Sequence, residues 1–358
     1  MGGIKMIDGI TIQTIIDDFE IWKEQTLIQF SNPINIDTGE MRTKKRNDQI
    51  VTIFRGKWET FELKVTEVKY IKTGSKIYYL KIKGSLHKNH FYGKNFQLFN
   101  WVDLQTQIHH ICETLLIDPN KAQISTIEVG VNIVPPFNVT SFLKANVIDY
   151  KGKEFKRYKA DRNRIELGLF CDLSQYQVKL YDKGLQNNLE NNLMRFEKRF
   201  RRMQIPKNKG VLYLSDLLDI QKVKNLKPLI VDAWKNLLIY DIENLKGKAL
   251  ESDYELVLNG KNPRYWEEIK SINRDKYNYQ RGKFKKIVLK YGNNYHSIVL
   301  DLVEKEWDSL LNNSTNLPIV KSVEFHNLTF KIKGKITKSI SKYCIPCIWD
   351  CSSIVKYN

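Results

Sequence analysis

The sequence predicts an α+β protein, with a largely antiparallel-sheet domain first and a mainly helical domain after it. Three observations carry this prediction. The first half holds short runs of β-branched and aromatic residues, one of them alternating in polarity. One early segment instead spaces its apolar residues by three and four, the period of a helix. Beyond about Ser215 that helical spacing takes over.

Residues 49–54 and 61–65 read as strands, and 76–83 reads as another after the turn Thr73-Gly74-Ser75. Residues 98–116 read as a helix because Trp101, Leu104, Ile108, Ile111 and Leu115 fall on one face. Asp118-Pro119-Asn120 ends it. A strand over 124–133 is stopped by Pro135-Pro136, and 164–170 and 175–181 read as two more. Residues 193–203 fit a strand or a helix. The stretches 217–220, 227–243, 264–272, 282–291 and 298–311 read as helices. Trp234, Leu237, Leu238 and Ile239 mark one apolar face, and Val303, Trp307, Leu310 and Leu311 another. The basic connector Lys222-Val223-Lys224-Asn225-Leu226-Lys227-Pro228 divides the chain into 1–222 and 228–358. The last stretch, 323–358, is strand-like and has no assigned place.

The chain has 358 residues, 42% of them hydrophobic, with 16 Phe, 18 Tyr and 7 Trp. That much apolar surface offsets the entropy of folding and excludes a disordered chain. Lysine and arginine total 58 against 40 acidic residues, a net charge of +18 spread along the chain. Such an excess favours a densely anionic partner, nucleic acid ahead of a membrane surface. Five cysteines, an odd number, argue against a disulfide scaffold and for reduced thiols in the cytoplasm. No signal-peptide run opens the chain, no stretch approaches a membrane span, and Met6 stands where a myristoylation signal wants Ser or Thr.

Three segments could carry chemistry. Glu128 sits in the apolar strand 124–133, where a carboxylate is costly unless it is paired, binds a cation or lies on a solvent face. Tyr181 ends an alternating strand, with Lys183 two residues on and facing the same way if the strand continues. A phenol becomes a nucleophile when a nearby ammonium or metal favours the phenolate; the bland reading is a core or surface tyrosine. Read as a strand, 193–203 places Arg195, Glu197 and Arg199 on one face, which offers a phosphate clamp and a metal carboxylate, or simply a solvated charged strand.

Two basic clusters fit a nucleic-acid surface as well as they fit solvated loops. One is Arg42, Lys44, Lys45 and Arg46. The other spans 151–164, with Lys156, Arg157, Arg162 and Arg164 among its cations and Phe155 and Tyr158 interleaved for base stacking. His109 and His110 are adjacent on a helix and cannot easily share a metal. Cys344, Cys347 and Cys351 have the spacing of half a zinc site without an evident second half. No Gly-rich Lys-Ser/Thr phosphate loop occurs.

In order and spacing these pieces resemble the rolling-circle replication initiators of filamentous phages and small plasmids, the gene-II-like phage/plasmid replication proteins. Gly84-Ser85-Leu86-His87-Lys88, then Gly93-Lys94-Asn95-Phe96 and Phe99, looks like their Gly-Ser/Asn…Lys…Gly-His-Asn…Phe stretch. The strand with Glu128 is similar to their acidic strand, and Tyr181-Asp182-Lys183 to their Tyr-x-Lys nicking motif. Arg195-Phe196-Glu197 looks like the Arg-x-Glu strand found there and in the plasmid trans-acting initiators. Leu214-Ser215-Asp216-Leu217 also matches. The resemblance spans roughly residues 80–220. Lys94 stands where many relatives have histidine, and no two-histidine metal motif is visible, so metal ligation falls to carboxylates.

The resemblance implies a nickase-like, nicking/joining and DNA-binding domain over 1–222 and a helical accessory domain over 228–358. Tyr181 is then the nucleophile on a scissile phosphate, giving a 5′-phosphotyrosine and a free 3′-OH. Lys183 and Arg195 assist it, and Glu128 and Glu197 hold Mg²⁺ or Mn²⁺. The DNA contacts are Arg42, Lys44, Lys45, Arg46, His87, Lys88, Lys94, Asn95, Lys156, Arg157 and Arg199. Origin DNA is the partner, with a host helicase and a second copy of the chain as further expected partners. A non-enzymatic origin-binding protein or repressor, and a relaxase or transposase relative, are the alternatives.

Overall fold

A computed structural model describes residues 6–32, 34, 41–94, 97–159, 166–190 and 192–312. These belong to one compact unit, 1–316. Strand β1 (Ile7–Ile16) comes first, followed by helix α1 (Phe19–Thr26), which Asp18 caps by accepting from the Ile21 amide. Strands β2 (Phe30–Ser31) and β3 (Thr43–Arg46) precede a meander of β4 (Gln49–Trp58), β5 (Phe61–Tyr70) and β6 (Lys76–Ser85). Helices α2 (Leu86–His90) and α3 (Trp101–Thr114) lead to β7 (Gln123–Ile133). After α4 (Val139–Ala145) come β8 (Val147–Tyr150), β9 (Lys153–Glu154), β10 (Lys156–Lys159), β11 (Glu166–Asp172) and β12 (Tyr176–Asp182). One helical turn, α5 (Lys183–Gln186), separates β12 from β13 (Met194–Phe200). The rest is helical: α6 (Gln204–Lys207), α7 (Ile220–Lys224), α8 (Lys227–Lys235), then α9 (Glu251–Gly260), α10 (Pro263–Ile272), α11 (Arg274–Tyr291) and α12 (Tyr295–Asn312), with β14 (Leu237–Ile239) after α8.

Among the described residues, eleven strands form one sheet in the order β10-β11-β12-β13-β7-β1-β6-β5-β4-β2, with β3 on β4. Every pairing is antiparallel. The α+β expectation therefore holds. Alternation along each strand sends one set of side chains to the core and the other to an open face. Ile127, Val129 and Val131 of β7, with Phe196 and Phe200 of β13, point to the core, where α12 packs on β7 and α8 on β13.

The helix expected over 98–116 starts at Trp101, because Asn100 and Asp103 form a capping box there. The stretch 193–203 resolves as a strand over Met194–Phe200. The expected helix over 227–243 is a correction: α8 ends at Lys235, and Leu237–Ile239 pairs with β8. Leu237 and Ile239 face the main core while Leu238 faces a second cluster, which is the period of a strand and not one helical face. Val223, Leu226 and Ile230 are buried in the same cluster as the sheet. The second cluster begins later and gathers Trp266, Tyr277 and Phe284 of α10 and α11 around Leu238. A buried ion pair of 2.8 Å between Arg281 and Asp149 ties α11 to β8. Among the described residues no helix is long and apolar enough to cross a membrane. The strand-like stretch 323–358, with its cysteines, lies outside the described residues.

Candidate active site on the open face of the sheet

The open face collects the polar residues of the central strands by register alone. Tyr181 lies opposite Arg195, which lies opposite Asn132; Lys179 lies opposite Glu197, which lies opposite Gly130; Arg199 lies opposite Glu128. The β1–β7 register slips between Ile7 and Ile10, so Asp8 and Gly9 bulge beside Glu128. Asp8, Glu128, Lys179, Tyr181, Glu197 and Arg199 line one cleft of about 350 Å³, with Lys83, Ser85 and Lys88 along its other edge.

Tyr181 is only 7% exposed. Its hydroxyl donates to Glu197 Oε2 at 3.4 Å. Its ring has Tyr158 of β10 at 5.7 Å between centroids and the Lys183 ammonium over it at 5.7 Å. The strand does not continue through Lys183, which begins α5 and donates to Gln186 Oε1 at 2.7 Å, yet the ammonium still reaches the ring. Burial, and then the charge of Glu197, hold the Tyr181 phenol well above its ordinary pKa.

Glu197 is the hub. Arg195 Nε donates to Oε2 at 3.1 Å, and the Lys179 ammonium lies 3.2 Å from Oε1. Arg195 is fully buried, with a second contact of 3.4 Å to Asn132 Oδ1. It does not line the cleft, and its place is against Glu197 and Asn132. Glu128 has Arg199 at 3.4 Å. Burial and the neighbouring Glu197 charge push its carboxyl up to about 7. Asp8 accepts a hydrogen bond from the Ser85 hydroxyl.

Three glycines keep this face open. A Cβ on Gly9 would come within 2.6 Å of the Glu128 carboxylate, one on Gly130 within 2.7 Å of Glu197 Cβ, and one on Gly168 within 2.6 Å of Tyr181 Cβ. Each glycine thus lies against one of the acidic or phenolic residues that the cleft presents.

The expected DNA contacts scatter. Lys88 and Arg199 line the cleft. Lys156 and Arg157 are exposed on β10, where Arg157 pairs with Glu166 at 2.6 Å. Lys44, Lys45 and Arg46 are exposed on β3 with Arg42 just before it, at the far end of the sheet, and Lys94 is exposed beyond α2. His87, also expected to contact DNA, is fully buried, its ring 5.1 Å from Phe91 and 5.3 Å from Phe99, and presents no surface to the cleft. Asn95, Arg162 and Arg164 lie outside the described residues. Asp216 of the Leu-Ser-Asp-Leu segment accepts from the Leu212 and Tyr213 amides and pairs with Lys222 at 2.7 Å, a structural role.

Sequence reading missed Asp8, Lys83 and Lys179. For Lys179 a signal existed, since it shares a strand face with Tyr181. Asp8 carried none, because its place depends on the pairing of β1 with β7.

No family model matches the chain, and no curated protein matches it. Among solved structures, the Rolling Circle Replication Initiator Protein from Geobacillus stearothermophilus is similar to it at 12% identity, over 70% of this chain and 90% of that one, with a TM-score of 0.33. A likeness at that score carries no argument about activity.

Proposed function

We propose that the chain initiates rolling-circle DNA replication by nicking one strand at an origin and rejoining it through Tyr181. The observation that carries this reading is the cleft itself, where a phenol contacts one buried carboxylate, a second carboxylate stands beside it, and Lys83, Lys88, Lys179 and Arg199 surround them. Phosphoryl transfer needs a nucleophile, positive charge for the phosphate oxygens and a proton acceptor, and this cleft offers each. Tyr181 Oη bonds to phosphorus as the bond to the 3′ oxygen breaks. The phenolic proton has Glu197 Oε2 as its acceptor, and the 3′ oxygen takes up a proton. The reverse transfer reseals the strand, so no nucleotide is consumed.

Glu128 and Glu197 fit a divalent cation in donor chemistry. They are two hard-oxygen donors close enough for one charge to raise the other's pKa. Among the described residues no group of three or more His, Cys, Asp or Glu side chains is arranged to hold a metal. Mg²⁺ is commonly held by one or two carboxylates together with substrate phosphates. When bound, Mg²⁺ or Mn²⁺ supplies charge stabilisation at the phosphate oxygens. The expected result is that Mg²⁺ or Mn²⁺ at about 100 times its Kd stabilises the DNA-free chain by about 2.7 kcal/mol. Glu128→Gln is expected to lose that thermal shift.

Gly9→Ala is expected to keep the unfolding temperature, because only the flexible end of Glu128 stands in the way. Displacing that carboxylate by about 1 Å is expected to slow strand cleavage by about 100-fold. A cleavage rate equal to wild type would remove Glu128 from the mechanism.

The test of the function is incubation with labelled single-stranded origin DNA, with and without Mn²⁺, followed by a denaturing protein gel. A labelled band at protein mass that requires the metal is the expected result. The competing reading, a DNA-binding protein without strand chemistry, has the burial of Tyr181 in its favour. Gel-shift binding with no covalent band under any metal would select it.

A further inference from the structure

Beyond the cleft, the same open face continues across β1, β6, β5 and β4. Thr11 and Lys83 on the cleft wall are cross-strand partners, and Lys83 is paired with Glu62 at 3.0 Å. The next row along the strands differs in kind. Gln13 lies opposite Lys81, Lys81 opposite Lys64, and Lys64 opposite Arg55. Among the described residues no carboxylate pairs with Lys81, Lys64 or Arg55. Like charges placed directly opposite on neighbouring strands destabilise a sheet. The Lys64 ammonium registers the cost: partial burial, then Lys81, then Arg55, hold its pKa below the usual lysine value. The row beyond is Ile15, Tyr79, Thr66 and Ile53, with Ile15 59% and Tyr79 43% exposed.

We propose that Arg55, Lys64 and Lys81 form a phosphate track, on which the single strand leaving the Tyr181 cleft is held by its backbone while bases rest on Tyr79 and Ile15. The assignment deepens the nicking reading and rests on it. Charge complementarity and continuity with the cleft choose the occupant. A cation row that weakens the free protein is repaid by a polyanion, and an apolar row beside it suits the faces of unpaired bases. Adjacent strands lie about 4.8 Å apart, so Lys81 on β6 is roughly 19 Å from Tyr181 on β12 across the strands, and the register sets its row about 30 Å further along them, a span that several nucleotides of one bound strand cover.

The experiment uses the full chain and a fluorescein-labelled twenty-nucleotide oligothymidylate, with anisotropy measured across a salt series. The variant is Arg55→Thr/Lys64→Thr/Lys81→Thr, because threonine suits a strand. The slope of log affinity against log salt is expected to flatten by about 2, from about 0.7 for each phosphate no longer neutralised. Binding at low salt is expected to weaken by roughly 30-fold, about half a decade for each of the three cations removed. The unfolding temperature is expected to stay or rise, since like-charge repulsion is relieved. A cation row that merely held the fold would not improve stability on removal. Lys64→Arg alone is expected to bind as wild type does. An unchanged salt slope in the triple variant, with wild-type chain binding the oligonucleotide, overturns the track and leaves the nicking reading standing. A wild-type chain that binds single-stranded origin DNA but not the oligothymidylate overturns the track alone; one that binds neither overturns the nicking reading, and the track falls with it.

Discussion

Tyr181→Phe is expected to abolish the covalent protein–DNA adduct and to leave the chain folded. The substitution removes one oxygen, whose hydrogen bond to Glu197 is long at 3.4 Å. Such a bond contributes about 1 kcal/mol net, so the fold survives its loss. The ring keeps Tyr158 and the Lys183 ammonium against it. Chemistry has no such margin. Losing the nucleophile is expected to lower strand cleavage by about 10⁴-fold or more. Origin DNA binding, measured by gel shift, is expected to change little, because the cations of the cleft remain. Tyr158 is a neighbouring phenol, half-buried on β10 with its ring 5.7 Å from that of Tyr181, so Tyr158→Phe serves as the control. An adduct that persists in Tyr181→Phe and vanishes in Tyr158→Phe would move the nucleophile to Tyr158.

Arg195→Met is expected to destabilise the chain by about 3–5 kcal/mol, because it strands a buried carboxylate. Glu197 is 3% exposed and draws on Arg195 at 3.1 Å, Lys179 at 3.2 Å and the Tyr181 hydroxyl at 3.4 Å; the substitution removes the guanidinium. Urea unfolding of the DNA-free chain measures the loss. The double variant Arg195→Met/Glu197→Leu is expected to recover most of it, since an apolar pair of similar volume often replaces a buried ion pair at little cost. Recovery of stability without recovery of cleavage separates the structural share of this pair from its part in the chemistry. A single variant as stable as wild type would show that Glu197 does not depend on Arg195 for its burial.

Much of the site was legible in the sequence. Alternation along one strand placed Arg195, Glu197 and Arg199 together, and the apolar setting of Glu128 marked a carboxylate in need of a partner. The meander β4–β5–β6 and the helix at Trp101 follow from local spacing in the same way. What local spacing could not supply was neighbourhood. β1 was unread, although Ile10, Ile12 and Ile16 alternate with Gln13 and Ile15, and with it went Asp8 and Gly9. Nor could it say which polar residues are covered. His87 and Arg195 look equally able to meet a phosphate in the sequence, yet both are fully buried. The reading of 227–243 as one helix failed for a related reason, since three consecutive apolar residues take a strand when two cores lie on either side of them.

By itself, then, the sequence determined the α+β class, the strand-by-strand alternation and the residues of the cleft that share a strand, because these depend on neighbours within a few positions. Only the tertiary structure decided that Asp8 and Gly9 meet Glu128, that Glu197 rather than solvent meets the Tyr181 hydroxyl, and that Lys64 stands between two cations. Those facts are set by the register between strands far apart in the chain and by the faces the helices cover, which long-range packing alone selects.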